Sequence, residues 1–300
     1  MHDQDDLGNP RRTVYRPTRS SLDFARAIAG RMDRDFDEAE VSRLAHNLYA
    51  VMYADLVRLL DLQSPPQLDA ASYSLTRVFL ALDRERRPTI VLDMIFDFWL
   101  FAATHLTSVA TFNAMPRDKA LHFINVFEAV LNLFVTGAGY KNVRAQVAPY
   151  LLDYPRELNI SSAMSRAMTV FALCHELAHA ECQHLGKPGS REQEDEADRE
   201  ATAYFLRIVR QQETARGSHV YVDPKVAGAP IVMMQLFDIA EGWLEAQSLI
   251  GDRQEIHAPA AERGRNIEAL LTPALASVAR EITEAHGKAI MEIRDALIGD

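Results

Sequence analysis

Two cysteines and two tryptophans in 300 residues, and fewer basic than acidic side chains, set the first limits on this chain. Cys174 and Cys182 stand eight apart on what reads as one helix, roughly 12 Å at 1.5 Å per residue, too far for a mutual disulfide. With 42 acidic against 32 basic residues and a net charge of −10, the field repels nucleic acid and anionic lipid, so neither is an expected partner. The opening "MHDQDDLGNPRR" lacks the basic region and apolar core of a secretory signal. Unpaired thiols and no secretory signal together lead to a cytoplasmic expectation.

Uninterrupted hydrophobic runs are also scarce. "MIFDFWLFAATHLTSVATF" (94–112) and "LHFINVFEAVLNLFVTGAG" (121–139) are long and apolar, but Asp97, His105 and Glu128 interrupt them. A charge at mid-bilayer costs about 2.5 to 3.5 kcal/mol even on a lenient insertion scale, which argues for buried helices rather than membrane spans.

What is present is mostly helical periodicity. Residues 1–19 mix charges, glycine and prolines without a hydrophobic period and read as a disordered tail. "SSLDFARAIAGRM" and the stripe of Leu44, Leu48, Met52, Leu56 and Leu59 read as amphipathic helices. "SPPQ" (64–67) breaks the chain, and a further helix is expected to about Arg86. The glycines and prolines of 137–160 make it the candidate for extended structure, with an edge strand over 143–152. "SHVYV" also reads as a short extended piece. Ser161 or Ser162 is a candidate cap for a helix to His184, and Ser190 with Gln193 forms a capping box for the helix from 191 to 213. The expected fold class is mainly α: a helical N-terminal bundle, 20–150, and a second part with a small β element, 151–300.

The chemistry concentrates in "CHELAHAECQH", residues 174–184. At 100° per residue, His175 and His179 share a helix face and can offer two imidazole nitrogens to one metal. Glu176 lies beside them, where a carboxylate can take a proton from water. The same residues also fit an ordinary polar helix face, so a third ligand is needed. In "EDEADREA" (194–201), Glu194 and Asp198 stand four apart on one face, across the short "GKPGS" turn. Glu194 can complete a His2Glu zinc set, with Asp198 beneath it as acceptor for the outer nitrogen of a histidine.

HELAH followed by "EDEAD" resembles the gluzincin class of zinc peptidases, in particular the HtpX-type and CAAX-processing endopeptidases. The soluble arrangement is also similar to the intracellular ImmA and phage-exclusion Lit types. The resemblance implies Zn2+ held by His175, His179 and Glu194 rather than Glu196, with Glu176 as catalytic base. The segment "HAPAAERGRNIEAL" (257–270) resembles the H-P-x-x-x-E-R stretch of the first branch and implies that His257 stabilises the oxyanion. Here the proline follows one residue late. The function so implied is a zinc-dependent endopeptidase acting on an intracellular protein or peptide, with room for a regulatory partner and for a role in regulation, stress or phage defence.

Two other classes fit the same residues: a regulatory binding protein with a vestigial metal site, and a zinc hydrolase of a small molecule. His184, five beyond His179, falls on a different helical face and reads as a helix-end polar residue. Cys174 reads as a small buried side chain. His46, His105, His122 and His286 read as ordinary core or surface histidines; His219 and Tyr221, in "SHVYV", are candidate oxyanion donors, with surface or core placement the preferred reading.

Overall fold

The structure, a computed structural model, describes residues 38–71, 76–187, 189–211, 218–247 and 258–299. The expected tail over 1–19, the helix beginning at Ser20 and His257 lie outside these residues. The chain is mainly helical with one small sheet.

Helix α1 (Glu38–Leu60) buries Met52, Leu56 and Leu59, as its apolar stripe requires. It stops where Asp61 turns left-handed at φ 54°, and the Leu62 amide donates back to the Val57 carbonyl. Three strands follow: β1 (Gln67–Ala71), β2 (Val78–Leu82) and β3 (Pro88–Asp93), in the order β1-β3-β2. β1 runs parallel to β3 and β2 antiparallel to it. Among the described residues, the stretch expected to be a helix to Arg86 therefore forms strands β1 and β2. Its alanines and leucines favour a helix locally, but Gln67 pairs with Thr89, a non-local contact that no short window reveals. The β2–β3 turn is held by Asp83, whose side chain accepts from the amides of Glu85 and Arg87.

β3 feeds directly into α2 (Met94–Phe112), because the Asp93 carboxylate accepts from the Ile95 amide and caps the helix. α2 is the spine of the core: Trp99 is fully buried and stacks on Phe134 and Phe237, with ring centroids 4.3 and 5.5 Å away. Its Asp97 accepts from Tyr49 and Thr169 hydroxyls. By length and composition α2 and residues 119–136 of the next helix are apolar enough to cross a membrane, and 67% and 33% of these stretches are buried inside the protein.

α3 (Arg117–Thr136) ends at left-handed Gly137, and left-handed Gly139 opens α4 (Tyr140–Asp153). The expected extended segment over 143–152 is thus helical. Val143, Val147, Tyr150 and Leu151 are buried at helical spacing, and the helix continues through Pro149. α5 (Glu157–Glu181) carries the histidine motif and starts four residues ahead of Ser161, which sits inside it. α6 (Arg191–Arg210) is capped by Ser190, whose hydroxyl accepts from the Gln193 amide, the arrangement expected from the capping box. "SHVYV" forms no strand. α7 (Ala229–Ala246), α8 (Ala260–Leu271) and α9 (Ser277–Ile298) complete the set.

One hydrophobic cluster runs from Met52 to Ile293 and joins both halves of the chain, and residue 150 falls within α4. α5 lies inside this packing, against α2 on one side and α6 on the other. Phe171 meets Phe205, His175 meets Asp198, and His179 meets Glu194, so α5 and α6 run antiparallel.

Candidate metal centre

The face of α5 turned to α6 carries His175 and His179 one helical turn apart. Their rings meet edge to face with Nε2 atoms 3.0 Å from each other. Glu194, in the first turn of α6, places Oε2 3.4 Å from His175 Nε2 and Oε1 3.4 Å from His179 Nε2. The two imidazoles are 12% and 13% exposed and the Glu194 side chain 8%, so three donor groups converge in a nearly closed pocket.

These spacings test what the group can hold. Ligands placed tetrahedrally about 2.0 to 2.1 Å from zinc stand about 3.3 Å apart. The two Nε2 atoms stand 3.0 Å apart, each lies 3.4 Å from a different oxygen of Glu194, and one donor atom from each residue can be chosen with all three within 4.8 Å of one another, close enough to be drawn onto one ion. Two nitrogens and one carboxylate are also the donor set of a catalytic rather than a structural zinc site. The residues fit the ion.

Each imidazole is held from behind. His175 Nδ1 lies 2.9 Å from Asp198 Oδ1. Arg263 of α8 donates to both oxygens of that carboxylate, Nε to Oδ2 at 2.7 Å and Nη2 to Oδ1 at 2.8 Å. Burial alone would raise the Asp198 carboxyl pKa, but the hydrogen bonds from Arg263 and His175 outweigh it and hold it far below the usual carboxylate range. Burial likewise opposes protonation of His175, yet its hydrogen bonds to Asp198 and Glu194 push it up to about 9. The pocket favours positive charge at that ring.

His179 Nδ1 faces His184 Nδ1 at 2.9 Å, and His184 Nε2 faces Glu196 Oε2 at 3.1 Å. This corrects the reading of His184 as a mere helix-end residue. α5 ends with the Gln183 amide donating to Ala180 and the His184 amide to the His179 carbonyl, while Gln183 adopts φ 56°. That left-handed reversal swings His184 back under His179, off the face a continuing helix would give it.

Glu176 is buried beside this group and faces the Leu80 backbone amide of β2. Burial raises its carboxyl pKa against the lowering pull of His175 and His179. Cys174 is fully buried, both cysteines are free, and burial pushes the Cys174 thiol up.

The structure thus brings together His175, Glu176, His179, Glu194 and Asp198 as one constellation. His257 lies outside the described residues. Sequence reasoning missed Arg263 and the contact of His184. Arg263 stands in "AERGR", within the very segment whose resemblance drew attention to His257.

Residues 152–279 match the family model described as Peptidase U49. The match indicates a peptidase, and hence a hydrolase, and it spans the end of α4 to the start of α9, so every residue of this constellation falls within it. No curated protein and no solved structure matches the chain.

Proposed function

We propose that the chain is a zinc-dependent endopeptidase that cleaves an intracellular protein. The observation that supports it most is the convergence of His175 Nε2, His179 Nε2 and the Glu194 carboxylate at 3.0 to 3.4 Å, with a buried carboxylate, Glu176, directly beside them.

In this reading His175, His179 and Glu194 hold the ion. Zinc bound there would supply a Lewis acid that polarises a peptide carbonyl and makes an adjacent water more acidic. Glu176 accepts the water proton and returns it to the leaving amine. Its burial raises its proton affinity, and so favours holding the proton between those two steps. Asp198 and Arg263 fix the ring of His175, and His184 does the same for His179.

Substrate placement follows from the sheet. β2 pairs with β3 alone among the described residues, so its other edge can take an extended peptide by main-chain hydrogen bonds. Leu80 on that strand faces Glu176. A peptide laid along β2 therefore passes the general base, the role that the sequence had suggested for a strand over 143–152.

The experiment is metal analysis of the purified protein, joined to a proteomic comparison of cells expressing it and its Glu176→Gln form. One tightly held zinc per chain, and fragments that appear only with Glu176, are expected. A protein without zinc, or identical proteomes, would overturn the reading.

A further inference from the structure

The turn that ends α5 gathers three more donors, separate from the His175, His179 and Glu194 group. Cys182 and His184 flank the left-handed Gln183, and Glu196 reaches over from α6. The Cys182 thiol, a His184 nitrogen and a Glu196 oxygen all lie within 4.8 Å of one another, and His184 Nε2 is 3.1 Å from Glu196 Oε2. The latter separation is close to the tetrahedral edge of about 3.3 Å. A thiolate, an imidazole and a carboxylate select zinc and its softer neighbours over magnesium or calcium.

The surroundings favour a cation and leave it a path. Glu181, Glu196 and Glu200 act on Cys182 against one guanidinium, Arg199. His184 is fixed, with its side chain 6% exposed, whereas the Glu196 side chain is 46% exposed and opens the group to solvent.

We propose that Cys182, His184 and Glu196 form a second, solvent-fed site for zinc-class metals, and that loading it opposes the first. The site stands on its own donors; its effect on catalysis rests on the peptidase reading above. His184 is a donor of the second group and touches His179 of the first. To hold a metal through Nε2, a neutral His179 keeps its proton on Nδ1, and His184 must then present a bare Nδ1 to it at 2.9 Å. With Nδ1 bare, a neutral His184 carries its proton on Nε2, where Glu196 accepts it. A cation on His184 Nε2 takes that place, and the neutral ring carries its proton on Nδ1 instead. Two N–H groups then face each other, and His179 loses the acceptor that fixes its ring.

Cobalt titration of the full chain tests the site without reference to hydrolysis. Co2+ on the first group meets only nitrogen and oxygen. At the second it meets a thiolate and gives a ligand-to-metal charge-transfer absorption. A second equivalent that brings in this absorption is expected in the wild-type protein, absent in C182S and weakened in E196Q. No such absorption in the wild type, or its persistence in C182S, overturns the site. For the coupling, excess zinc should lower turnover about tenfold or more in the wild type, the scale of losing a ligand's outer partner, and much less in C182S. Equal inhibition of both would overturn the coupling. A chain that shows the absorption yet cleaves nothing would count against the peptidase reading alone.

Discussion

Arg263 grips Asp198 by both carboxylate oxygens, at 2.7 and 2.8 Å, and the two side chains are only 14% and 6% exposed. This pair ties α8 to α6 directly behind His175. Arg191 at the start of α6 also pairs with Glu262, so the two helices are joined twice. Breaking a buried ion pair from one side leaves the other charge uncompensated, at about 3 to 5 kcal/mol. Arg263→Ala should therefore lower unfolding free energy by that order in urea denaturation. The double variant Arg263→Ala with Asp198→Asn should recover a good part of it. Losses that simply add would show that the two residues are not coupled.

The carboxylates of α6 separate by role. Glu194→Ala removes one of the three converging donors and should abolish tight zinc binding, read as metal retained after dialysis against a chelator. Glu196→Ala should leave that tight equivalent in place, because Glu196 faces His184 and not the first group. Equal loss in both variants would mean that the ligand assignment is wrong.

Asp198→Asn keeps the shape beneath His175 but removes the charge and one of the two acceptor oxygens that His175 and Arg263 share. Zinc affinity should fall 10- to 100-fold, the usual cost of losing a ligand's outer partner. Competition with a chromophoric chelator measures it. An unchanged affinity would show that Asp198 serves stability alone.

The parts of the site legible in the sequence were those fixed by spacing on a single helix. His175 and His179, and Glu194 and Asp198, are each four apart, and Ser190 with Gln193 marks where the second helix must begin. What stayed hidden depends on contacts between distant segments or on one residue's backbone. Arg263 reaches Asp198 across 65 positions. The strands pair through Gln67 and Thr89, and their Ala- and Leu-rich stretch looks helical in isolation. His184 meets His179 only because Gln183 turns left-handed, a conformation that glutamine seldom adopts and that costs about 1 to 2 kcal/mol. In α4, Pro149 and the glycines ahead of it outweighed a buried period of Val143, Val147 and Tyr150 that was there to be read.

Glu176→Gln separates chemistry from binding. The amide keeps the size and polarity of the side chain but cannot take a proton, so zinc content should be unchanged while hydrolysis drops by about 10² to 10⁴. Activity that survives this change would remove Glu176 from the mechanism.

His105 makes acid stability a test of the core. It is fully buried on α2, with Nδ1 3.2 Å from the Ser161 hydroxyl on α5, and burial pushes its pKa from 6.5 down to about 4. The Tyr150 carbonyl of α4 and the charge of Glu157 pull the other way and do not overcome it. Between pH 6.5 and 4 the unfolded chain therefore binds a proton at this residue that the folded chain refuses. Stability rises with pH wherever the unfolded state holds more protons, so His105 contributes its full share above pH 6.5 and loses it as pH falls toward 4. Going from pH 7 to pH 5 should cost about 2 kcal/mol through this residue alone. His105→Leu removes the titrating group, and Ser161 stays satisfied because its hydroxyl donates to the Glu157 carbonyl at 2.7 Å. His286, also buried with a lowered pKa, titrates in both proteins and cancels from the difference. Urea midpoints at the two pH values should thus fall less in the variant than in the wild type. Parallel losses would mean that acid acts on the fold through other groups.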